Sequence, residues 1–484
     1  MPSIVRPERP AGLAGFVPVL LANLFPLVGV VQLGWNPETL VVVYALELLF
    51  SFPLAGAKSL FAQRRSPSDR DGSTLISGSS DLTDKRGSVE LVSWLPPVYP
   101  RNLPFATAVV IGAVWFVIMI GVVLSNVVDV GAALGRSGVL VSLAGLVVGQ
   151  SVETWRDYVR DGGYETASPY SVIETAAREA FFVAFVLFVT PGITTLGPAV
   201  VFGLVVAGKL LVEWSGYRAT QGGGGRLAGW LAGPDASADV HDSVSVPDDG
   251  PGISVPVDRR AAFYTGLVDV LTTLAPFALP PFVFVWVIAV GVVADDVSPP
   301  VAALTAVAVL TLYLAYLAAN VVEYYLAHGP LEYRRHGDHI VAYDAFVDEP
   351  QWSASVDVLR DVRVVPDRPV DRLFGTTTVA VTTGWDADDS ERRLGPVVDA
   401  DALVEGFELP VQTTDLDPVA RAPVAVVVAL AVGAVAVVVA LAVGPWASTD
   451  DLVSGAVVYG WFVVPAVTLA LRGAWSLACP DPED

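Results

Sequence analysis

The stretch 301–324, VAALTAVAVLTLYLAYLAANVVEY, decides the fold class of this chain. It contains one charged side chain, Glu323, which lies next to its C-terminal end. A helix of about 20 mostly apolar residues is long enough to cross a bilayer. The stretch therefore predicts a transmembrane helix.

Apolar stretches of similar length recur through the rest of the chain. They predict ten transmembrane helices, near residues 12–33, 39–58, 105–128, 137–154, 179–194, 197–215, 262–293, 301–324, 423–444 and 454–472. Lys and Arg fall mainly in alternate loops, as the positive-inside rule requires. This pattern predicts a multi-pass protein of the cell membrane with both termini in the cytoplasm and the lipid bilayer as a partner.

The composition argues against several classes of protein. Hydrophobic residues make up 53% of the chain and charged residues 16%, whereas a typical soluble domain has about 25% charged residues. The formal net charge of -22 argues against a nucleic-acid partner, because phosphate binding needs clustered Lys and Arg. One Cys and four His leave little material for a disulfide, a metal centre or a cofactor, and none is predicted.

Hydrophilic segments divide the predicted spans into regions. Residues 1–218 are predicted to form an N-terminal six-helix membrane region, in which 62–104 is a cytoplasmic loop. Residues 219–258 are rich in Gly and Asp and predict a disordered cytoplasmic linker. Helices seven and eight then occupy 259–328, a cytoplasmic domain occupies 329–418, and helices nine and ten with a short tail occupy 419–484.

Residues 329–418 differ from the other loops, because short runs in them alternate apolar and polar side chains. These runs predict strands at 339–343, 352–356, 362–365 and 376–383. Asp399 or Asp401 is the predicted cap of a helix that ends near Phe407. Strands followed by a closing helix indicate a small α+β domain.

Three motifs of this region carry a family resemblance: 331–340 LEYRRHGDHI, 358–362 VLRDV and 370–381 VDRLFGTTTVAV. They resemble bacterial PH-like domains, which implies a strand-rich half-barrel closed by a C-terminal helix and implies no catalytic residue. The predicted fold class is an α-helical polytopic membrane protein of about ten transmembrane helices with a small cytoplasmic α+β PH-like half-barrel domain.

The N-terminal region carries a second set of motifs: 23–29 NLFPLVG, 44–47 YALE, and Lys209 followed one turn later by Glu213. It resembles an uncharacterised family of multi-spanning proteins from halophilic archaea. A habitat in concentrated salt agrees with 50 acidic residues against lysines at only three positions. Members of that family tend to carry His near the ends of the fourth and sixth spans, where this chain has Gln150 and Tyr217.

Polar side chains inside predicted spans are the candidates for chemistry, because a charge at the bilayer centre costs at least about 2.5 kcal/mol. Asn23 lies in the first predicted span, Glu47 near the middle of the second, and Lys209 and Glu213 in the sixth. Two interpretations stay open. One is a proton or ion relay or a polar substrate site, and the other is a structural clasp between helices.

The favoured hypothesis is an integral membrane protein of unknown molecular function, non-enzymatic, whose residues 329–418 bind a protein or lipid partner as an interaction or assembly module. The alternative is a transporter or channel that uses Glu47 and Lys209, and a lipid-processing membrane enzyme is a third hypothesis. A metal site at His336 and His339 is disfavoured, because residues i and i+3 of an extended segment point to opposite faces. The oligomeric state is not predicted.

Overall fold

The computed structural model describes residues 37–65, 81–125, 137–174, 252–293, 299–383, 390–411 and 457–479, together with scattered residues between them. The chain divides into two compact units. The first comprises Met1–Ser77, Val92–Pro96 and Ala108–Val240, and the second comprises Gly78–Leu91, Pro97–Thr107 and His241–Asp484.

The first unit is helical where it is described. Its helices are α1 (Pro37–Phe61), α2 (Leu103–Ser125), of which residues from Ala108 onward belong to this unit, and α3 (Ser137–Glu153). Their sequences are nearly continuous runs of apolar residues and show no separate polar face. Which side chains are buried therefore depends on where neighbouring helices pack. Phe52 of α1 packs edge-on against Phe116 of α2, with ring centroids 6.0 Å apart.

The second unit contains a helical hairpin. Asp258 caps α4 (Arg259–Asp269) by accepting a hydrogen bond from the Ala261 amide at 2.7 Å. A π-helical turn, Val270–Leu274, joins α4 to α5 (Ala275–Val293), and α6 (Pro299–His328) follows. Trp286 of α5 donates to the Thr305 hydroxyl of α6 at 3.1 Å, which pairs the two helices near one end.

Two antiparallel sheets and two short helices of the second unit form a domain, here called the two-sheet domain. Four strands pair in the order β1 (Ser254–Pro256), β2 (Leu331–His336), β3 (His339–Asp344) and β4 (Glu349–Ser355). The other sheet pairs β5 (Leu359–Val364), β6 (Thr377–Thr383) and β7 (Ser390–Val397). Helix α7 (Pro369–Phe374) connects β5 to β6, and α8 (Ala400–Gly406) follows β7.

One hydrophobic core lies between the two sheets and α8. Every second residue of the central strands points into it, as the two-residue period of a strand requires. Its fully buried side chains come from both sheets and from the end of α8: Tyr333, Ile340, Ala342, Val379, Val381, Leu394, Val397, Leu403 and Phe407. The core explains why the alternating pattern of residues 329–418 predicted strands.

Several local predictions in this region are confirmed. The strands predicted at 339–343, 352–356, 362–365 and 376–383 correspond to β3, β4, β5 and β6 within a few residues. Asp399 caps α8 by accepting a hydrogen bond from the Ala402 amide at 2.8 Å. Residues 219–258 were expected to be a linker throughout, but Ser254–Pro256 at its end form β1, with Val255 opposite Tyr333.

The last described helix is α9 (Val464–Ala478), which a π-helical turn, Tyr459–Val463, precedes. Among the described residues, three helices are long and apolar enough to cross a membrane: Arg259–Ile288, Ala303–His328 and Tyr459–Ala478. These candidate spans indicate a membrane protein.

The predicted fold class of ten transmembrane helices is wrong, since three candidate spans occur in the described part of the chain. Helix α3 illustrates a physical reason. Its 17 residues rise only about 25 Å, less than the roughly 30 Å of hydrocarbon, and the helix then continues into the charged π-helical turn Thr154–Arg160. The predicted spans near 12–33, 179–194, 197–215 and 423–444 lie wholly or partly outside the described residues.

Candidate functional site

A buried polar cluster lies where the two-sheet domain meets the candidate spans. It consists of Tyr324 near the end of α6, Arg368 and Asp371 at α7, and Thr376 and Thr378 at the start of β6, and is called the junction cluster below. Arg368, Asp371, Thr376 and Thr378 are each at most 9% exposed. Buried charges persist in a fold when they are paired and hydrogen-bonded.

The local sequence of α7 sets the positions of the two charges. Arg368 precedes the helix in extended conformation, and Pro369 occupies the first helical position, where its fixed φ suits a helix and its missing N–H costs nothing. Gly375 ends the helix with φ +65°, a left-handed conformation that glycine adopts without a side-chain clash. Arg368 and Asp371 are therefore held one helical turn apart.

The Arg368 guanidinium connects a strand to a candidate span. One terminal nitrogen, Nη1, donates to Thr378 Oγ1 of β6 at 2.7 Å, and the other, Nη2, donates to the Tyr324 hydroxyl of α6 at 2.8 Å. A guanidinium suits this position because its donors have fixed directions and it stays charged. Arg368 thus fixes the two-sheet domain against the end of α6.

Asp371 is fully buried beside this arginine. Its Oδ1 accepts a hydrogen bond from the Thr376 hydroxyl at 2.8 Å, and its backbone carbonyl accepts from the Thr376 amide at 3.0 Å. Burial raises the pKa of the Asp371 carboxyl above its usual 3.8, and the charge of Arg368 opposes that shift. Loss of solvent is the larger of the two effects.

Helix α4 approaches the junction cluster through a glycine. A Cβ atom added at Gly266 would lie 2.6 Å from the Tyr324 ring, closer than van der Waals contact allows. Only a residue without a side chain permits α4 and α6 to pack this tightly at Tyr324. The position of the tyrosine hydroxyl that receives Arg368 therefore depends on α4 as well as α6.

The raised pKa of Asp371 predicts a pH dependence. Because the folded carboxyl binds its proton more tightly than the unfolded one, the folded state holds more protons between pH 3.8 and the raised folded pKa. The contribution of Asp371 to the stability of the folded chain should therefore fall as pH rises through that window. Asp371→Asn should remove this slope in thermal unfolding of the detergent-solubilised chain.

The exposed Asp357→Asn serves as the matched control for this measurement, because it removes one carboxylate from the domain surface. It should leave the slope of the parent chain unchanged. If Asp371→Asn and Asp357→Asn show the same pH profile, the buried carboxyl is not the source of the dependence.

A buried ion pair joins the domain to an earlier segment of the chain. The side chains of Lys85 and Asp344 are 3% and 0% exposed, and their charged atoms are in direct contact. Lys85 Nζ also donates to the carbonyl of Leu326 in α6. Asp344 Oδ1 meanwhile accepts hydrogen bonds from the amides of Phe346 at 2.8 Å and Val347 at 3.1 Å.

Further contacts extend this attachment along 81–86. The Arg86 amide donates to Gln351 Oε1 of β4 at 2.8 Å, and Asp81 Oδ2 lies 3.0 Å from His328 Nε2 at the end of α6. The hydrogen bond with His328 lowers the pKa of Asp81. The sequence analysis placed this segment in the cytoplasmic loop 62–104 and predicted no partner for it.

Of the four site residues predicted from sequence, the structure describes one. Asn23, Lys209 and Glu213 lie outside the described residues. Glu47 lies in α1, where it is half-buried. The transport hypothesis and the helix-clasp hypothesis that rest on this set stay predictions.

One polar contact near Glu47 involves residues that were not predicted as a pair. One turn along α1, Ser51 accepts a hydrogen bond at 2.9 Å from Nε2 of Gln150 in α3. Polar contacts of this kind join helices inside a membrane. Gln150 had been noted only as the residue where related proteins tend to carry His.

The structure corrects the reasoning about His336 and His339. They flank the two-residue turn of the β2–β3 hairpin and are direct register partners, so they face each other across the two strands. The sequence argument had assumed one continuous extended segment, in which they would point apart. His339 Nδ1 lies 2.7 Å from Asp338 Oδ1, and no metal-binding group of three or more His, Cys, Asp or Glu occurs among the described residues.

Sequence reasoning missed the Lys85–Asp344 pair and the burial of Asp371, although weak signals existed. Lys85 is one of few lysines in a chain that otherwise uses arginine. Asp371 lies in 369–374, PVDRLF, where an acidic residue in the first turn of a short helix could have been noted. The signal at Lys85 does not identify its partner, because Asp344 is distant in sequence.

Comparison with known proteins yields one family match. A family of unknown function, DUF6498, matches residues 6–220, which is less than half of the chain. This supports the view that the N-terminal region is an uncharacterised domain, whereas a halophilic origin and a PH-like domain stay predictions. No curated protein and no solved structure matches the chain.

Proposed function

We propose that this chain is a non-enzymatic membrane protein whose two-sheet domain is a PH-like interaction or assembly module on the cytoplasmic side. One observation carries the proposal. Strand β1 precedes the α4–α6 hairpin and β2 follows it, yet the two strands pair, with Ser254 opposite Arg334 and Pro256 opposite Glu332. The membrane hairpin is thus an insertion within the domain's own sheet.

This connectivity restricts how the domain can move. A domain tethered by one linker swings freely, whereas this domain is attached through both ends of the hairpin, through Lys85 and through Arg368. Such a module presents its surface at a fixed height and angle to the bilayer. A fixed presentation suits the recognition of another membrane-bound protein.

The strand count and the closing helix support the PH-like interpretation. Four strands in one sheet, three in the other and a helix packed on their shared core agree with the half-barrel implied by the sequence motifs. The exposed arginines Arg259 and Arg260 at the start of α4 support a cytoplasmic position of the domain through the positive-inside rule.

Site-specific photocrosslinking in intact cells tests the proposal on the full chain. A photoreactive amino acid is placed at Asp338 or at Asp357, both exposed at the end of the domain distant from α6. A bound protein should give an adduct of defined mass at one of these positions. The same amino acid at the buried Ile340 should give none.

The isolated segment 329–418 is unsuited to this experiment, because it lacks β1. Failure to form any protein adduct at a series of exposed positions around the domain, with the chain present at normal abundance in the membrane fraction, would contradict the proposal. An adduct formed equally at Ile340 would show that the reagent reports unfolding instead of a partner.

A further inference from the structure

We propose that α7 is a membrane-surface anchor, in which Leu373 and Phe374 insert at the boundary between headgroups and acyl chains of the bilayer. The inference rests on the proposed membrane-bound module and adds a second, non-spanning contact between that module and lipid. Side chains of this type at a bilayer surface gain from burial in the interface without crossing it.

Helix α7 lies at the end of the domain nearest the candidate spans, and each of the three spans contacts it or the residues just before it. The Tyr264 ring of α4 stacks on Phe374 with centroids 5.2 Å apart. Tyr324 of α6 accepts a hydrogen bond from Arg368 at 2.8 Å. Trp475 of α9 donates through Nε1 to the Asp367 carbonyl at 2.6 Å.

The apolar side chains at this position are exposed to an unusual degree. Leu373 is 76% exposed, and the adjacent Phe374 is exposed together with Tyr264, which stacks on it, and Phe263, which contacts Tyr264. Exposed apolar residues that cluster mark a surface that binds another apolar phase. The aromatic members are the residue types that favour the membrane interface.

The surroundings of the patch indicate lipid as its occupant. The patch is continuous with α4 and α9, whose sequences are candidate spans, so the same bilayer reaches it without a rearrangement. Exposed arginines lie on the same helices. Arg259 and Arg260 are in the first turn of α4, and Arg472 is three residues before Trp475 in α9. Guanidinium groups pair with lipid phosphates at that depth.

Spin labels on the full chain test the anchor. In a Cys479→Ser background, which removes the single native cysteine, Leu373→Cys is labelled and the chain is reconstituted into vesicles of phosphatidylcholine and phosphatidylglycerol in a three-to-one ratio. Power saturation compares access of oxygen, which enters lipid, with access of a water-soluble nickel chelate. We expect a severalfold higher oxygen-to-nickel ratio at Leu373→Cys than at Asp338→Cys.

Asp338 is a suitable aqueous reference because it lies in the turn after β2, about 17 Å along the strand from the residues next to α6. High nickel access at Leu373→Cys, equal to that at Asp338→Cys, would overturn the anchor. Exclusion of both reagents would also overturn it, since the side chain would then be covered by protein, as in a contact with a second copy.

A third labelled position separates this inference from the membrane assignment itself. Leu314 is 55% exposed in the middle of α6 and should report lipid. If Leu314→Cys reports lipid and Leu373→Cys reports water, the anchor alone fails. If Leu314→Cys reports water, the membrane assignment of the module fails with it. Retention of the Trp and backbone circular dichroism of the parent chain verifies that each variant folds.

Discussion

Replacing Lys85 with methionine should lower the opening free energy of the two-sheet domain by about 3 to 5 kcal/mol, because it leaves the Asp344 carboxylate buried without its counter-charge. Asp344 is 0% exposed, so water cannot replace the lost ammonium group. Hydrogen exchange of the β3 amides of Ile340, Val341 and Ala342, followed by mass spectrometry on the solubilised chain, measures the change.

A second substitution separates the buried charge from the rest of the contact. Asp344→Asn keeps an oxygen that accepts from the Phe346 and Val347 amides, while it removes the charge. The double variant Lys85→Met with Asp344→Asn should therefore cost clearly less than Lys85→Met alone. A double variant as unstable as the sum of the single variants would argue against charge burial as the cause.

The control for this experiment is an ion pair in water. Arg156 lies 3.9 Å from Asp157, and their side chains are 75% and 52% exposed. Arg156→Met should change the free energy of unfolding by less than about 1 kcal/mol. Water screens the attraction between two exposed charges, so such a pair contributes little to stability. Burial lowers the pKa of Lys85, and the adjacent Asp344 opposes that shift.

Phe407→Ala should destabilise the two-sheet domain by about 3 to 5 kcal/mol, because it removes a large side chain from the middle of the core. Phe407 follows α8 and is 0% exposed, in contact with the cluster that both sheets share. The loss combines the transfer of the ring to water with the cavity that remains. The same hydrogen-exchange measurement on β3 and on β6 detects it.

The matched control is another phenylalanine in a different environment. Phe462 lies before α9 and is 64% exposed, so its ring contacts detergent or lipid instead of the core. Phe462→Ala should leave the exchange of β3 and β6 within about 0.5 kcal/mol of the parent. Equal losses for the two variants would contradict the assignment of Phe407 to the domain core.

The alternation of apolar and polar residues located most of the strands, because a strand with one buried face repeats every two residues. It missed β1, β2 and β7. In β1, Ser254, Val255 and Pro256 are too few to show a period. Val255 becomes a buried strand residue only because Tyr333 lies opposite it. Its identity as a strand therefore depends on a distant part of the chain.

Hydropathy located the three candidate spans but predicted too many. It identifies segments that avoid water, and a segment such as α3 qualifies by composition although its helix has only 17 residues. The length of a helix depends on where capping, turns and charged residues end it. Composition alone does not show where a helix ends. The number of spans was therefore the part of the predicted fold class that was wrong.

The buried charges Lys85 and Arg368 escaped sequence analysis for a related reason. Sequence analysis selected charges inside apolar runs, such as Glu47, because their isolation is visible along the chain. Lys85 and Arg368 lie in polar segments, where the sequence does not distinguish a buried charge from the exposed charges around it. They are buried because strand pairing and helix packing bring Asp344, Thr378 and Tyr324 against them.

The sequence by itself determined the membrane character of this protein and the local elements of its domain, because apolar length and two-residue alternation are properties of neighbouring residues. Only the tertiary structure decided that the membrane hairpin is inserted between β1 and β2 and that Lys85 contacts Asp344. It also decided that α7 and the two residues before it contact all three candidate spans. The physical reason is that a buried charge needs an opposite charge and a sheet edge needs hydrogen bonds from another strand. Long-range packing determines which residues provide them.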